Sequence, residues 1–194
     1  MIRTNSVARI GILAFLILAL LYNVGCSKDQ GGWATFSKSG VGIKFRYPSK
    51  WVIGDPNKLD IQPVPDAYIY DPEKNNDDNF MTNLNLLVQH SPLLAPSAEG
   101  QAQETAQTLS LPGTGIENYK KLRYEPIQYG NTNAGLLTSE FTLSQNNKQL
   151  KNIEVFIPVG QKTYILTFTT SPDSWDNYKP LFDETIKSIE ITNS

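Results

Sequence analysis

Ile153-Glu154-Val155-Phe156-Ile157-Pro158-Val159-Gly160-Gln161-Lys162-Thr163-Tyr164-Ile165-Leu166-Thr167-Phe168-Thr169 holds two strands and the turn that joins them. Ile153, Val155 and Ile157 alternate with Asn152, Glu154 and Phe156, the period of two expected of an extended chain. Gly160-Gln161 is the turn into Tyr164–Thr169. One step upstream, Leu137, Phe141 and Leu143 alternate with Thr138, Glu140 and Thr142, and the turn-rich Gln145-Asn146-Asn147-Lys148 links them to the quoted pair. Three strands joined by short turns predict an antiparallel meander. Its in/out pattern fits a sheet with a core on one face and a partly covered second face.

Working outward, Ile43, Phe45 and Tyr47 alternate with Lys44 and Arg46, Pro48 stops the run, and Trp51-Val52-Ile53 follows. Leu84, Leu86 and Val88 alternate with Asn85, Leu87 and Gln89. Two stretches predict helices. Residues 98–109 follow Ser97, an N-cap, and precede Pro112-Gly113, with only Ala98, Ala102, Thr105, Ala106 and Leu109 as an apolar face. Near the C-terminus, Ser171-Pro172-Asp173 is a helix start, and Trp175, Tyr178, Phe182, Ile186 and Ile189 recur at helical spacing. Pro180 inside that pattern is expected to kink the helix or split it. A meander with two helices is an α+β arrangement.

Gly42-Ile43-Lys44-Phe45-Arg46-Tyr47-Pro48-Ser49-Lys50-Trp51 resembles the opening of PsbP-like domains. Asn83-Leu84-Asn85-Leu86-Leu87-Val88 is similar to that family's next marked strand. Thr163–Phe168, then Trp175, Tyr178-Lys179-Pro180, Phe182 and Ile186-Lys187-Ser188-Ile189, resemble its last strand and closing helix. The motifs keep the family's order across residues 35–191. The resemblance implies a central antiparallel β-sheet flanked by helices, an α/β/α sandwich of PsbP-like type, with Trp51, Trp175, Phe45, Phe168 and Phe182 against the sheet. It also implies docking rather than catalysis. The family's best-known members are extrinsic subunits of photosystem II that assist calcium and chloride retention. Many prokaryotic relatives are lipoproteins or secreted proteins, and no residue here singles out a photosystem partner.

The first 25 residues have a different character. Arg3 and Arg9 supply positive charge without any acid, and Ile10–Leu21 is an unbroken apolar run. Those are the parts of a secretory signal peptide, too short for the ~20 apolar residues of a comfortable membrane span. Cys26 is the only cysteine, and in an exported chain it has no internal partner. Asn23-Val24-Gly25-Cys26 resembles a lipoprotein lipobox, with Asn23 where the family usually has Leu. The expectation is a signal peptide over 1–25, lipid attachment at Cys26, a flexible tether over 26–32 and one domain over 33–192. An uncleaved anchor and a plainly secreted form are the alternatives. Removing 1–25 leaves 15 basic residues against 19 acidic, which gives no reason to expect nucleic acid as a partner. The expected partners are the membrane, through the lipid on Cys26, and another envelope protein or membrane complex.

The chemistry-bearing residues are sparse. His90 is the sole histidine, and Gly-x-Ser-x-Gly and Ser-x-x-Lys are absent, so no catalytic residue is assigned. Asp71, Glu73, Asn75, Asp77 and Asn79 alternate as in the start of a calcium loop. Asn76 stands where such a loop needs glycine and Thr82 where it needs glutamate, so a solvated acidic loop is the better account and no metal or cofactor is assigned. Tyr119-Lys120-Lys121-Leu122-Arg123-Tyr124 reads as an exposed charged strand, and Gly113-Thr114-Gly115 as the exit from the first helix. A non-catalytic binding or accessory module is the leading expectation. An envelope enzyme using a pair of carboxylates and a weak calcium-responsive module are the alternatives.

Overall fold

A computed structural model describes residues 31–59, 62–73 and 80–192. The signal segment, Cys26 and the Asn75–Asn79 part of the acidic loop lie outside the described residues. Among the described residues, ten strands and two α-helices follow in chain order: β1 (Trp33–Ser37), β2 (Ile43–Pro48), β3 (Val52–Ile53), β4 (Ala67–Tyr70), β5 (Asn83–His90), α1 (Ala98–Leu109), β6 (Ile116–Tyr129), β7 (Thr132–Leu143), β8 (Lys148–Val159), β9 (Lys162–Thr170), α2 (Trp175–Lys187) and β10 (Glu190–Ile191). Seven strands form the central antiparallel sheet in the order β3-β4-β5-β9-β8-β7-β6. The meander β7-β8-β9 is the one the alternation predicts.

The strand with the Tyr-Pro ending belongs elsewhere. β2 pairs with β1 and β10 in a separate three-stranded antiparallel sheet. Its inward residues Ile43, Phe45 and Tyr47 join Leu84, Leu86, Ile153, Val155, Leu166 and Phe168 of the large sheet in the main core. α2 closes that core with Tyr178, Phe182 and Ile186. Five aromatic rings meet there. Phe182 stands 5.1 Å from Phe168, 6.2 Å from Tyr178, 6.3 Å from Trp175 and 6.4 Å from Trp51, centroid to centroid. Such spacings are the favourable range for offset-stacked, tilted and edge-on rings.

Two local expectations change. Pro180 does not split the closing helix, which runs unbroken from Trp175 to Lys187. Proline removes one backbone bond, the one to Asp176, and both residues are exposed, so water can serve the freed carbonyl. Buried Tyr178 and Phe182 hold the helix on either side of it. The break falls earlier, where Pro172–Ser174 forms a single 3-10 turn that Ser171 precedes without a side-chain cap. Trp175 is half-buried rather than buried, with the Lys151 ammonium 4.5 Å over its ring.

α1 lies on the other face of the large sheet. Ser97 caps it by accepting a 3.1 Å hydrogen bond from the Gly100 N–H. Ala98 and Ala102 let the helix sit close, and they form a second small core with Leu137 and Phe156, flanked by Tyr124 and Ile165. Close approach recurs at Gly135, where a Cβ would meet the Tyr124 ring. The apolar side of β7 therefore faces α1 and not the main core, because Leu137 lies opposite Glu154 in the β7–β8 register. Helices on both faces of the sheet make the α/β/α sandwich.

Candidate functional site

The face under α1 is only half apolar, and the strand registers say why. Residues directly opposed across antiparallel strands share a face. One row runs Leu137–Glu154–Thr167–Asn85–Tyr68 from β7 to β4. The next runs Ser139–Asn152–Thr169–Asn83–Tyr70. A third, Phe156–Ile165–Leu87, is apolar. The helix covers the part around Leu137 and Phe156. Beside it a cleft of about 630 Å³ is left open. Glu154, Thr167, Asn85, Phe156 and Ile165 are its floor, Glu104, Thr105, Thr108 and Leu109 of α1 one wall, and Gln62 and Pro63 part of the rim. That volume lies within the ~300–1,000 Å³ of small-molecule sites.

Two anchors fix the helix over it. The Gln101 amide donates to the Pro96 carbonyl at 2.9 Å and to the Thr163 hydroxyl at 2.8 Å, tying α1 to β9. On the floor, the Asn85 amide donates to Asn83 Oδ1 at 3.3 Å, and Asn83 donates to the Met81 carbonyl at 2.9 Å. Ser139 donates a short hydrogen bond to Asn152 Oδ1. Among the described residues, three buried polar atoms on this face are left without a hydrogen bond of normal geometry: Glu154 Oε2, Asn85 Oδ1 and the Tyr119 hydroxyl. Buried polar atoms are nearly always paired, with protein groups or ordered water, so these three mark a place with hydrogen-bonding capacity to spare.

Glu154 is the centre of the group. It is 8% exposed. Burial pushes its carboxyl up to about 7, with a hydrogen bond to the Asn152 side chain opposing the rise. Burial also raises the Tyr119 phenol, Ser139 opposes the rise and the Glu154 charge adds to it. A carboxylic acid that titrates near neutrality inside a cleft accepts a hydrogen bond or a positive charge when ionised and donates a proton when neutral.

The residues singled out from sequence sit apart from this cleft. His90 is exposed at the end of β5, opposite Lys162. Asp71 is buried and holds structure: its Oδ2 accepts from the Tyr178 hydroxyl at 2.7 Å and its Oδ1 from the Glu73 N–H at 3.0 Å. Lys120, Lys121 and Arg123 are exposed on the edge strand β6. Among the described residues, no three His, Cys, Asp or Glu side chains gather as a metal site. Sequence reasoning passed over Glu154 by assigning it to the outer side of an alternating strand. The signal was present in its neighbours: the same side of three paired strands carries Asn83, Asn85, Thr167, Thr169 and Asn152, small polar residues in place of Lys and Glu.

Neither a protein-family model nor a curated protein sequence matches the chain. Solved structures do. The solution structure of cyanobacterial PsbP (CyanoP) from Synechocystis sp. PCC 6803 superposes with a TM-score of 0.65 at 18% identity, over 87% of this chain and 98% of that one. The Ran-binding protein Mog1p of Saccharomyces cerevisiae gives 0.53 at 11%, over 82% and 95%. LpqN of Mycobacterium tuberculosis, described as involved in cell envelope biogenesis, gives 0.52 at 12%, over 78% and 83%. With its antiparallel sheet, its two flanking helices and this likeness, the chain has the PsbP-like fold.

Proposed function

We propose that the chain is a membrane-anchored extracytoplasmic lipoprotein, cleaved before Cys26 and held by lipid there. Its PsbP-like domain is a non-catalytic binding and accessory module serving another envelope protein or membrane complex. The observation that carries this reading is a PsbP-like fold whose first strand begins at Trp33, seven residues beyond Cys26 and directly behind a signal-type segment. The likeness in fold to LpqN supports an envelope setting. The cleft beneath α1 is the module's ligand site, because it unites enclosed volume with unpaired buried acceptors.

Metabolic labelling tests the address. Wild-type protein is expected to incorporate labelled fatty acid and to sediment with membranes, and Cys26→Ala to lose the label. Label that survives the substitution rejects lipid attachment at Cys26.

The second reading, an envelope hydrolase with a carboxylate pair, is favoured by one observation: Glu154 and Glu104 line the same cleft. It requires turnover of a glycosidic substrate that either Glu→Gln change abolishes.

A further inference from the structure

We infer that the cleft beneath α1 binds a small amphipathic organic cation, a primary ammonium on an apolar body. The ammonium donates to Glu154 and Asn85, and the body lies along Phe156 and Ile165. This rests on the cleft being the module's ligand site.

The polarity of the site follows from its unpaired atoms. Glu154 Oε2 and Asn85 Oδ1 are both acceptors, so whatever satisfies them must donate. They sit in one cross-strand row with Thr167 between them, which places their backbones about 10 Å apart. Glu154 is more than nine-tenths buried and lines the cavity, so the acceptor is not a surface carboxylate that solvent can serve freely.

Charge gives the sign. Glu154 and Glu104 both line the cleft, and among the described residues its lining includes no Lys, Arg or His. An anionic ligand would meet the Glu104 carboxylate and, whenever it is ionised, that of Glu154, with no lining cation among the described residues to offset them. A cation meets a buried acceptor whose ionised form it favours.

The apolar part separates an organic cation from a metal ion. Leu87, Phe156, Ile165 and Leu109 continue the lining away from the polar row. A hydrated divalent ion gains nothing from that surface and keeps its oxygen ligands elsewhere. A hydrocarbon body is stabilised there by the area it removes from water. The N–H requirement separates a primary ammonium from a quaternary one, which has no hydrogen to give.

Three probes that share a phenylethyl body test this: 2-phenylethylammonium, 2-phenylethanol and 3-phenylpropionate, each titrated into the purified full-length chain in detergent. Binding is read by calorimetry and by amide chemical shifts, with calcium alone as a fourth arm. The expected result is that the ammonium binds at least tenfold more tightly than the alcohol and shifts β5, β8 and α1 resonances. Glu154→Gln, which keeps the shape of the side chain, should erase that preference while its melting curve shows a folded protein. Tighter binding of the alcohol or the carboxylate within the cleft would overturn the cationic assignment and leave the cleft as a ligand site. Saturable calcium binding lost in Glu154→Gln would overturn it in favour of a metal. Shifts from none of the probes would overturn both the assignment and the cleft as ligand site.

Discussion

Phe182→Ala should lower stability by about 3–5 kcal/mol, the usual cost of emptying a buried phenylalanine site. For a chain of this size that is a fall of about 6–20 °C in the melting midpoint. The side chain is 1% exposed and touches four other rings, so its loss opens a hole that rigid neighbours cannot fill. Trp51→Ala, also in the buried core, belongs in the same class. Trp33→Ala is the contrast. Trp33 is half-buried in β1, with Arg46 5.9 Å over its ring, and should cost about 1 kcal/mol or less. Thermal melts of the three variants order them. Phe182→Ala melting with the wild type would show that α2 is not a closing element of the core.

The second large effect depends on pH. The Glu154 carboxyl titrates at about 7 in the folded chain against 4.5 for the group in water. Between those values the folded protein holds a proton that the unfolded chain has released, so stability falls as pH rises through the window and levels off above it. At ~1.4 kcal/mol per unit the loss is about 3 kcal/mol by pH 8. Glu154→Gln carries no charge at any pH. Its midpoint should match that of the wild type near pH 4.5 and exceed it by about 6–12 °C at pH 8. Melting curves at several pH values measure this difference, and equal slopes for the two proteins would show that Glu154 is not desolvated.

The sheet was open to reading from sequence because alternation is a local property. Leu84, Leu86, Ile153, Val155, Leu166 and Phe168 face the core in the structure as their spacing requires. The two α-helices lie where Ser97 and the Trp175–Ile189 spacing put them. The small sheet was not legible. β10 is two residues long, and its pairing with β2 comes from the way α2 returns the chain, which no local pattern encodes. Trp175 packs against the core but is only half-buried, for a related reason. Helical spacing gives the inward stripe of a helix but not how deeply its first turn enters the core. Glu154 was the costliest omission. Period two says which residues share a face, but only the position of α1 over Phe156 and Leu137 decides that the second face is buried at Glu154.

Both margins of the seven-stranded sheet are unfit for strand addition. At one end β3 offers two residues and is followed by Gly54 and Pro56. At the other, β6 carries Lys120, Lys121 and Arg123, a proline at 126 and two register shifts, with Asn118 at a φ of 53° between the paired positions Glu117 and Lys120. Charge, proline and bulges on an edge are the features that discourage one sheet from extending another. Crowded side by side, copies of this chain would resist fusing into continuous β-structure, and a freely soluble or densely arrayed population should stay as separate molecules through their sheet edges.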